Sequence, residues 1–203
     1  MALIASGGTA FPSGASGASD WWNTGWAYRT SITISNQTDA SLVDHQVKLT
    51  ISYGGMLPDY RDIRFVDEQG IQIPYWIESV ETGLSADVWV KIPSVDARAA
   101  TNVFLYYGNE LVTSESSGDA TFEFFDDFNG SLNTSKWTSV QGATTSDGML
   151  RYSNGQGVMA MTYTIPENTV WESRGDSPSS GYGSILRAAT STADGFVKDG
   201  VSN

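Results

Sequence analysis

Hard oxygen donors gather twice along this chain, and each gathering has the chemistry to hold a cation. Asp126, Asp127 and Asn129 crowd around Gly130, and Asp147 follows immediately before Gly148. Carboxylate and amide oxygens beside a glycine turn suit Ca²⁺, which takes about six to eight oxygen ligands in a flexible shell. The competing reading is an Asx-rich turn whose side chains accept backbone N–H groups. The second gathering is Asp62, Arg64, Asp67 and Glu68. Asp62 and Arg64 are two apart, so on a strand they share a face. They predict an ion pair within a sheet or, with Asp67, a second cation site.

Aromatic rings supply a different chemistry. Trp21, Trp22, Trp26, Trp76 and Trp89 offer flat faces that stack on pyranose rings. Tryptophans of a small sandwich also serve as core or interface residues. Trp76 with Glu78 is the first carbohydrate candidate, and Trp89 the next. Catalytic constellations are missing. There is no Cys and a single His, His45, which removes thiolate chemistry and leaves a Ser-His-Asp triad without support. Glycoside hydrolysis needs paired carboxylates, and Glu172 with Asp176 does not reproduce an E-x-D-x-x-E strand. No P-loop, G-x-S-x-G or H-E-x-x-H occurs. The expectation is a protein without enzymatic activity. Asn36, Asn129 and Asn133 each open an N-x-S/T acceptor for a glycan. Arg174-Gly175-Asp176 spells an adhesion tripeptide, a motif short enough to arise by chance.

These residues need elements to position them. The 203 residues carry 23 acidic and 11 basic side chains, a net charge of −12. That charge excludes nucleic acid, whose phosphates demand Lys and Arg, and disfavours anionic membrane surfaces. No apolar run is long enough to insert into a bilayer. Aromatic residues at 12% with 21 glycines describe a β-rich globular chain. Ile32 and Ile34, then Val47, Leu49 and Ile51, then Val88, Val90 and Ile92, then Val103, Leu105 and Tyr107 alternate with other residues at period two. Each run predicts a strand with one face in a core. Further strands are expected at 121–125, 148–153, 158–164, 169–174 and 183–189. Trp89 falls on the face opposite Val88 and Val90. His45 reads as a plain surface residue.

Residues 1–20 are rich in Gly, Ser and Ala with an apolar knot at Leu3 and Ile4 and with Phe11 further on. They read as a flexible arm, one that has the means to add as a strand to a neighbour's sheet edge. The start looks like the processed end of a secretory leader. A polar, turn-rich stretch at 108–121 marks a boundary. The domains are therefore an arm over 1–20, one unit over 21–118 and a second over 119–203.

Trp26-Ala27-Tyr28-Arg29, Asp62-Ile63-Arg64-Phe65, Pro74-Tyr75-Trp76-Ile77-Glu78, Trp89-Val90-Lys91-Ile92-Pro93 and Leu105-Tyr106-Tyr107-Gly108-Asn109 occur in that order. In these blocks the first unit resembles the domain of unknown function 2341 family of archaeal and bacterial surface or secreted proteins. Phe124 to Trp137, continuing to Asp147-Gly148-Met149-Leu150, is similar to the opening of a concanavalin A-like lectin/laminin-G jelly roll. The short strands and the turns between them predict an all-β sandwich or barrel. With the resemblance the expectation is an all-β fold of two consecutive antiparallel β-sandwich, jelly-roll-like units. The resemblance further implies an extracellular or cell-surface location and supports the calcium reading. A complete jelly roll of that kind is longer, so the second unit is expected to be incomplete. Either the chain is a fragment or an open sheet edge is closed from elsewhere. The functional expectation is a self-assembling, calcium-stabilised subunit of a surface filament whose partners are copies of itself. The alternative is a carbohydrate-binding module of a larger secreted protein or glycosidase, with glycans as partners.

Overall fold

The computed structural model describes residues 3–12, 21–141, 143–152 and 158–161. In chain order the strands are β1 (Leu3–Pro12), β2 (Tyr28–Asn36), β3 (Leu42–Ser52), β4 (Arg64–Val66), β5 (Gln72–Ile73), β6 (Tyr75–Glu81), β7 (Ser85–Val95) and β8 (Ala100–Tyr107). After one helical turn, α1 (Gly118–Thr121), come β9 (Trp137–Gln141), β10 (Ala143–Ser146), β11 (Met149–Tyr152) and β12 (Val158–Met161). Every pairing among the described strands is antiparallel. The chain divides into two compact units, Met1–Phe125 and Asp126–Asn203.

The first unit is a β-sandwich. One sheet has the order β1-β2-β8-β4-β5 and the other β3-β7-β6. Period-two alternation builds it: Ile32 and Ile34 from β2, and Val103, Leu105 and Tyr107 from β8, meet Val47, Leu49 and Ile51 from β3 and Val88, Val90 and Ile92 from β7. A strand shows successive side chains to opposite faces, so these apolar sets all turn inward. Trp89 does face away from buried Val88 and Val90, as the alternation requires. Pro74 stands between β5 and β6, where the chain leaves one sheet for the other. Its missing N–H costs no ladder bond there, while its carbonyl accepts Lys91 N at 3.0 Å.

Two expectations change. Residues 3–12 of the flexible arm form β1, paired with β2 of the same chain from Leu3↔Asn36 to Pro12↔Tyr28, with a bulge between Gly7 and Ala10. A sheet edge needs only backbone groups from its partner, so a run of small residues suffices. The backbone at Leu3, Ile4 and Phe11 therefore lies in this sheet. At 121–125 a strand is replaced by α1 and the loop after it. Ser117 caps that turn, its Oγ accepting Ala120 N at 3.2 Å, which commits the local backbone to a helix. Ser117 N also donates to Tyr75 O at 2.8 Å. The first unit consequently runs to Phe125, past the expected boundary after 118.

In the second unit β10 and β11 form a hairpin across Asp147 and Gly148, with φ of 56° and 68°. Two successive positive φ values fit the twist of a tight hairpin, and Asp-Gly is a favoured pair for it. β12 pairs with β9. The strands expected at 169–174 and 183–189, with Glu172, Asp176 and the Arg174-Gly175-Asp176 tripeptide, lie outside the described residues.

Candidate functional site

At one end of the outer face of β2, β8 and β4, aromatic and cationic side chains gather, while Ser31, Thr33, Ser35 and Asn102 continue the face as polar residues. Arg29, Tyr106 and Arg64 are register neighbours across these strands, as are Phe104 and Val66. Trp21, Trp22 and Trp26 arrive on this face from the segment before β2. The Trp21 and Trp22 rings lie 5.4 and 5.5 Å from the Tyr106 ring in edge-on contacts, and Trp22 lies 5.1 Å from Trp26. The buried Tyr106 hydroxyl accepts Trp22 N at 3.0 Å and Arg29 Nη1 at 3.4 Å. The Arg29 guanidinium sits 5.1 Å from the centre of Trp21 and 5.0 Å from that of Phe104, distances at which a cation is attracted to a ring face. Between this aromatic floor and the β4–β5 turn opens a cleft of about 300 Å³, walled by Trp22, Arg29, Asp67, Glu68, Phe104 and Tyr106.

Asp62 and Arg64 serve different partners. β4 begins at Arg64, so strand alternation does not reach back to Asp62, and the expected ion pair between them is absent. Fully buried Asp62 accepts Leu57 N on Oδ1 at 2.9 Å, and Gly108 N and Asn109 N on Oδ2 at 2.7 and 3.3 Å. Buried Arg64 pairs instead with Glu115 at 3.1 Å and donates to Ile63 O, Arg61 O, Thr113 O and the Tyr75 hydroxyl. Its guanidinium lies 5.4 Å from the Trp26 ring centre. Burial pushes the Tyr75 hydroxyl pKa upward, so Tyr75 stays a neutral donor to Ile63 O at 2.8 Å. Asp67 caps the β4–β5 turn, its Oδ1 accepting Gln69 N and Ile71 N. Asp62 and Asp67 thus act on separate loops.

The first carbohydrate candidate is occupied by the chain itself. Trp76 meets Phe125 and Phe122 at 4.7 and 5.9 Å between ring centres, and Trp89 meets Phe122 at 5.6 Å. Glu78 binds Lys48 at 2.6 Å and accepts Trp89 Nε1 at 3.1 Å. The Glu78 hydrogen bond is the main cause holding the Lys48 ammonium above its ordinary pKa. Trp76, Glu78 and Trp89 do come together, but as a packed cluster under Phe122 and Phe125.

In the second unit Asp126 Oδ1 accepts Phe128 N at 2.9 Å, and its Oδ2 accepts Trp137 Nε1 at 2.7 Å. Asp127 takes Asn129 N and Asn129 Nδ2 at 3.0 and 3.1 Å. Asp147 accepts Ser146 Oγ. Among the described residues no group of three or more His, Cys, Asp or Glu is arranged to hold a metal. The two turns nevertheless meet: a Cβ at Gly148 would stand 3.1 Å from Asn129 Oδ1 and 3.6 Å from the Asp127 carbonyl oxygen. Thr145 Oγ1 also donates to Gly130 O. A calcium ion at this corner would draw on Asn129 Oδ1 and the Asp127 carbonyl oxygen.

Of the glycan acceptors, Asn36 is corrected. It is fully buried, and its amide nitrogen donates to Ala40 O, Val95 O and Asp96 O, so the fold consumes the group a glycan needs. Asn129 and Asn133 stay exposed. His45 is half-buried on β3 rather than a plain surface group, and desolvation lowers its pKa. Sequence reasoning missed Arg29, Phe104 and Tyr106 as a set. The available signal was the pair of aromatics at 104 and 106, which alternate with core residues and therefore face outward.

A family model described as a domain of unknown function (DUF2341) matches residues 59–140. The match includes the Asp62–Phe65, Pro74–Glu78, Trp89–Pro93 and Leu105–Asn109 blocks, and its description states no activity. Neither the curated proteins nor the solved structures contain a match to this chain. No helix among the described residues is long and apolar enough to cross a membrane.

Proposed function

We propose that this chain is a non-catalytic extracellular structural or adhesive subunit that assembles with copies of itself by exchanging β1. The observation that carries the reading is the character of β1. Among the described strands it lies at the edge of its sheet and pairs with β2 alone. Its sequence, LIASGGTAFP, has three β-branched or aromatic residues in ten and two adjacent glycines, against five such residues in the nine of β2. Residues 13–20, SGASGASD, join it to the rest of the chain. Fully extended at about 3.3–3.6 Å per residue, such a segment reaches well beyond one sheet edge.

If β1 departs, β2 becomes a bare edge with unpaired backbone groups. The β1 of another copy restores the same register and the same hydrogen bonds. Exchange therefore leaves the contacts unchanged, and the balance is set by linker entropy and protein concentration. One donor and one acceptor per chain make a head-to-tail contact, which propagates as an open filament when it does not close. In this proposal the second unit is a partial concanavalin A-like sandwich whose 126–130 and 147–148 turns are braced by Ca²⁺.

The chain has no cysteine, which makes the test clean. Ile4 and Ser35 are register partners. In an Ile4→Cys, Ser35→Cys variant oxidised at high concentration, the expected non-reducing gel shows a ladder of covalent multimers. Monomer alone overturns the exchange. Dimer alone keeps the exchange and overturns the filament.

A further inference from the structure

We infer that the cleft on the outer face of the β2-β8-β4 region binds a neutral saccharide, at a place distinct from the Trp76 cluster. The inference does not depend on how copies of the chain join. Its shape is that of a small-ligand site: about 300 Å³, with aromatic walls and a few polar groups at the rim. Phe104 and Trp22 are partly exposed there, while Tyr106 beneath them is buried. The rings are held before any ligand arrives. Trp22 is tied to the Tyr106 hydroxyl through its backbone N–H, and Phe104 lies under the Arg29 guanidinium. Fixed rings lose little conformational entropy on binding.

The polar groups decide the ligand class. Glu68 is positioned by Asn102, whose Nδ2 donates to Oε1 at 2.9 Å, and Asn102 is in turn held by Thr33 Oγ1 at 2.9 Å. That leaves Glu68 Oε2 without a partner among the described residues. The same holds for Asp67 Oδ2, since the turn uses Oδ1. The Trp22 indole N–H has no acceptor among the described residues either. The cleft therefore presents carboxylate acceptors, one indole donor and partly exposed ring surface.

Two carboxylates repel an anionic ligand such as a phosphate or a uronate. The Arg29 guanidinium already lies over the Trp21 and Phe104 rings, so the chain itself fills the place a cationic guest would take on them. A neutral polyol satisfies all of it. Paired hydroxyls donate to Glu68 and Asp67, and the C–H face of a pyranose lies against Phe104 or Trp22. Hydrogen bonds to a charged acceptor are worth roughly twice neutral ones, which suits carboxylates for gripping hydroxyls.

The test uses the full chain and calorimetric titration. The probes are short neutral oligosaccharides of glucose, mannose, galactose and N-acetylglucosamine, with oligogalacturonate and tetramethylammonium beside them. The expected result is binding of at least one neutral oligosaccharide and of neither charged probe. Glu68→Gln and Phe104→Ala should each weaken that binding about tenfold or more. Glu68→Gln should do so with its melting temperature unchanged, which separates lost recognition from lost folding. Trp89→Phe, on the other sheet, should leave affinity alone. Failure of every neutral probe overturns the inference. So does tighter binding of either charged probe, or affinity indifferent to both cleft variants.

Discussion

A single carboxylate at position 62 closes three pieces of backbone onto one another. Asp62 takes N–H groups from Leu57, Gly108 and Asn109, and its own carbonyl accepts Trp26 Nε1 at 2.7 Å. Gly108, at φ 85°, brings its N–H to the carboxylate at a place where a Cβ would meet Tyr28 at 2.8 Å. An amide in place of the carboxylate has one acceptor oxygen and turns an N–H₂ toward a buried N–H. Asp62→Asn should therefore destabilise the first unit by about 3 kcal/mol, measured by urea unfolding. A cost under about 0.5 kcal/mol would show that the carboxylate is not the tie. The blocks that suggested a family already contained both Asp62 and Gly108-Asn109. The bond between them was illegible, because nothing in local spacing links residues so far apart in the chain. Arg64 teaches the same point: proximity in sequence suggested Asp62 as its partner, and the fold supplied Glu115.

Strands with strong alternation were legible and those without it were not. Val88, Val90 and Ile92 declare β7 because burial demands one apolar face. β1 lacks that alternation; its apolar knot suggests an added edge strand but not whose edge, since such a strand is specified by its neighbour's backbone. Residues 121–125 read as a strand because Phe122, Phe124 and Phe125 look like a β-run, whereas Ser117 caps the helical turn α1 just before them. That turn carries the lid over Trp76 and Trp89. A Cβ added at Gly118 would stand only 2.1 Å from the Phe125 ring, closer than any real contact. Gly118→Ala should push Phe125 off Trp76 and cost about 1–3 kcal/mol through overpacking. The expected signature in urea unfolding is a lower midpoint with an unchanged slope. An unchanged midpoint would mean that Phe125 swings aside freely and that the lid adds nothing to stability.

For the molecule as a whole, a charge of −12 complicates every test of calcium. Any divalent cation relieves self-repulsion in an acidic chain, so a higher melting temperature in Ca²⁺ does not by itself identify a site. A site is distinguished by saturation and by loss in one variant. With an affinity of about 10⁻³ M, typical of extracellular modules, a tenfold excess of calcium stabilises by about 1.4 kcal/mol, a shift of a few degrees in a unit this size. Asp127→Asn keeps an oxygen for the Asn129 N–H but removes the charge an ion requires. Chelation should lower the calorimetric transition of the wild type, and the same chelator should leave Asp127→Asn where it already lies. Magnesium at matched ionic strength should give only the screening part. If chelator and variant lower the transition additively, or if chelation moves nothing, calcium leaves the proposal. The corner where Asn129 meets Gly148 is then held by its own hydrogen bonds, and β1 exchange is untouched because β1 and β2 both belong to the first unit.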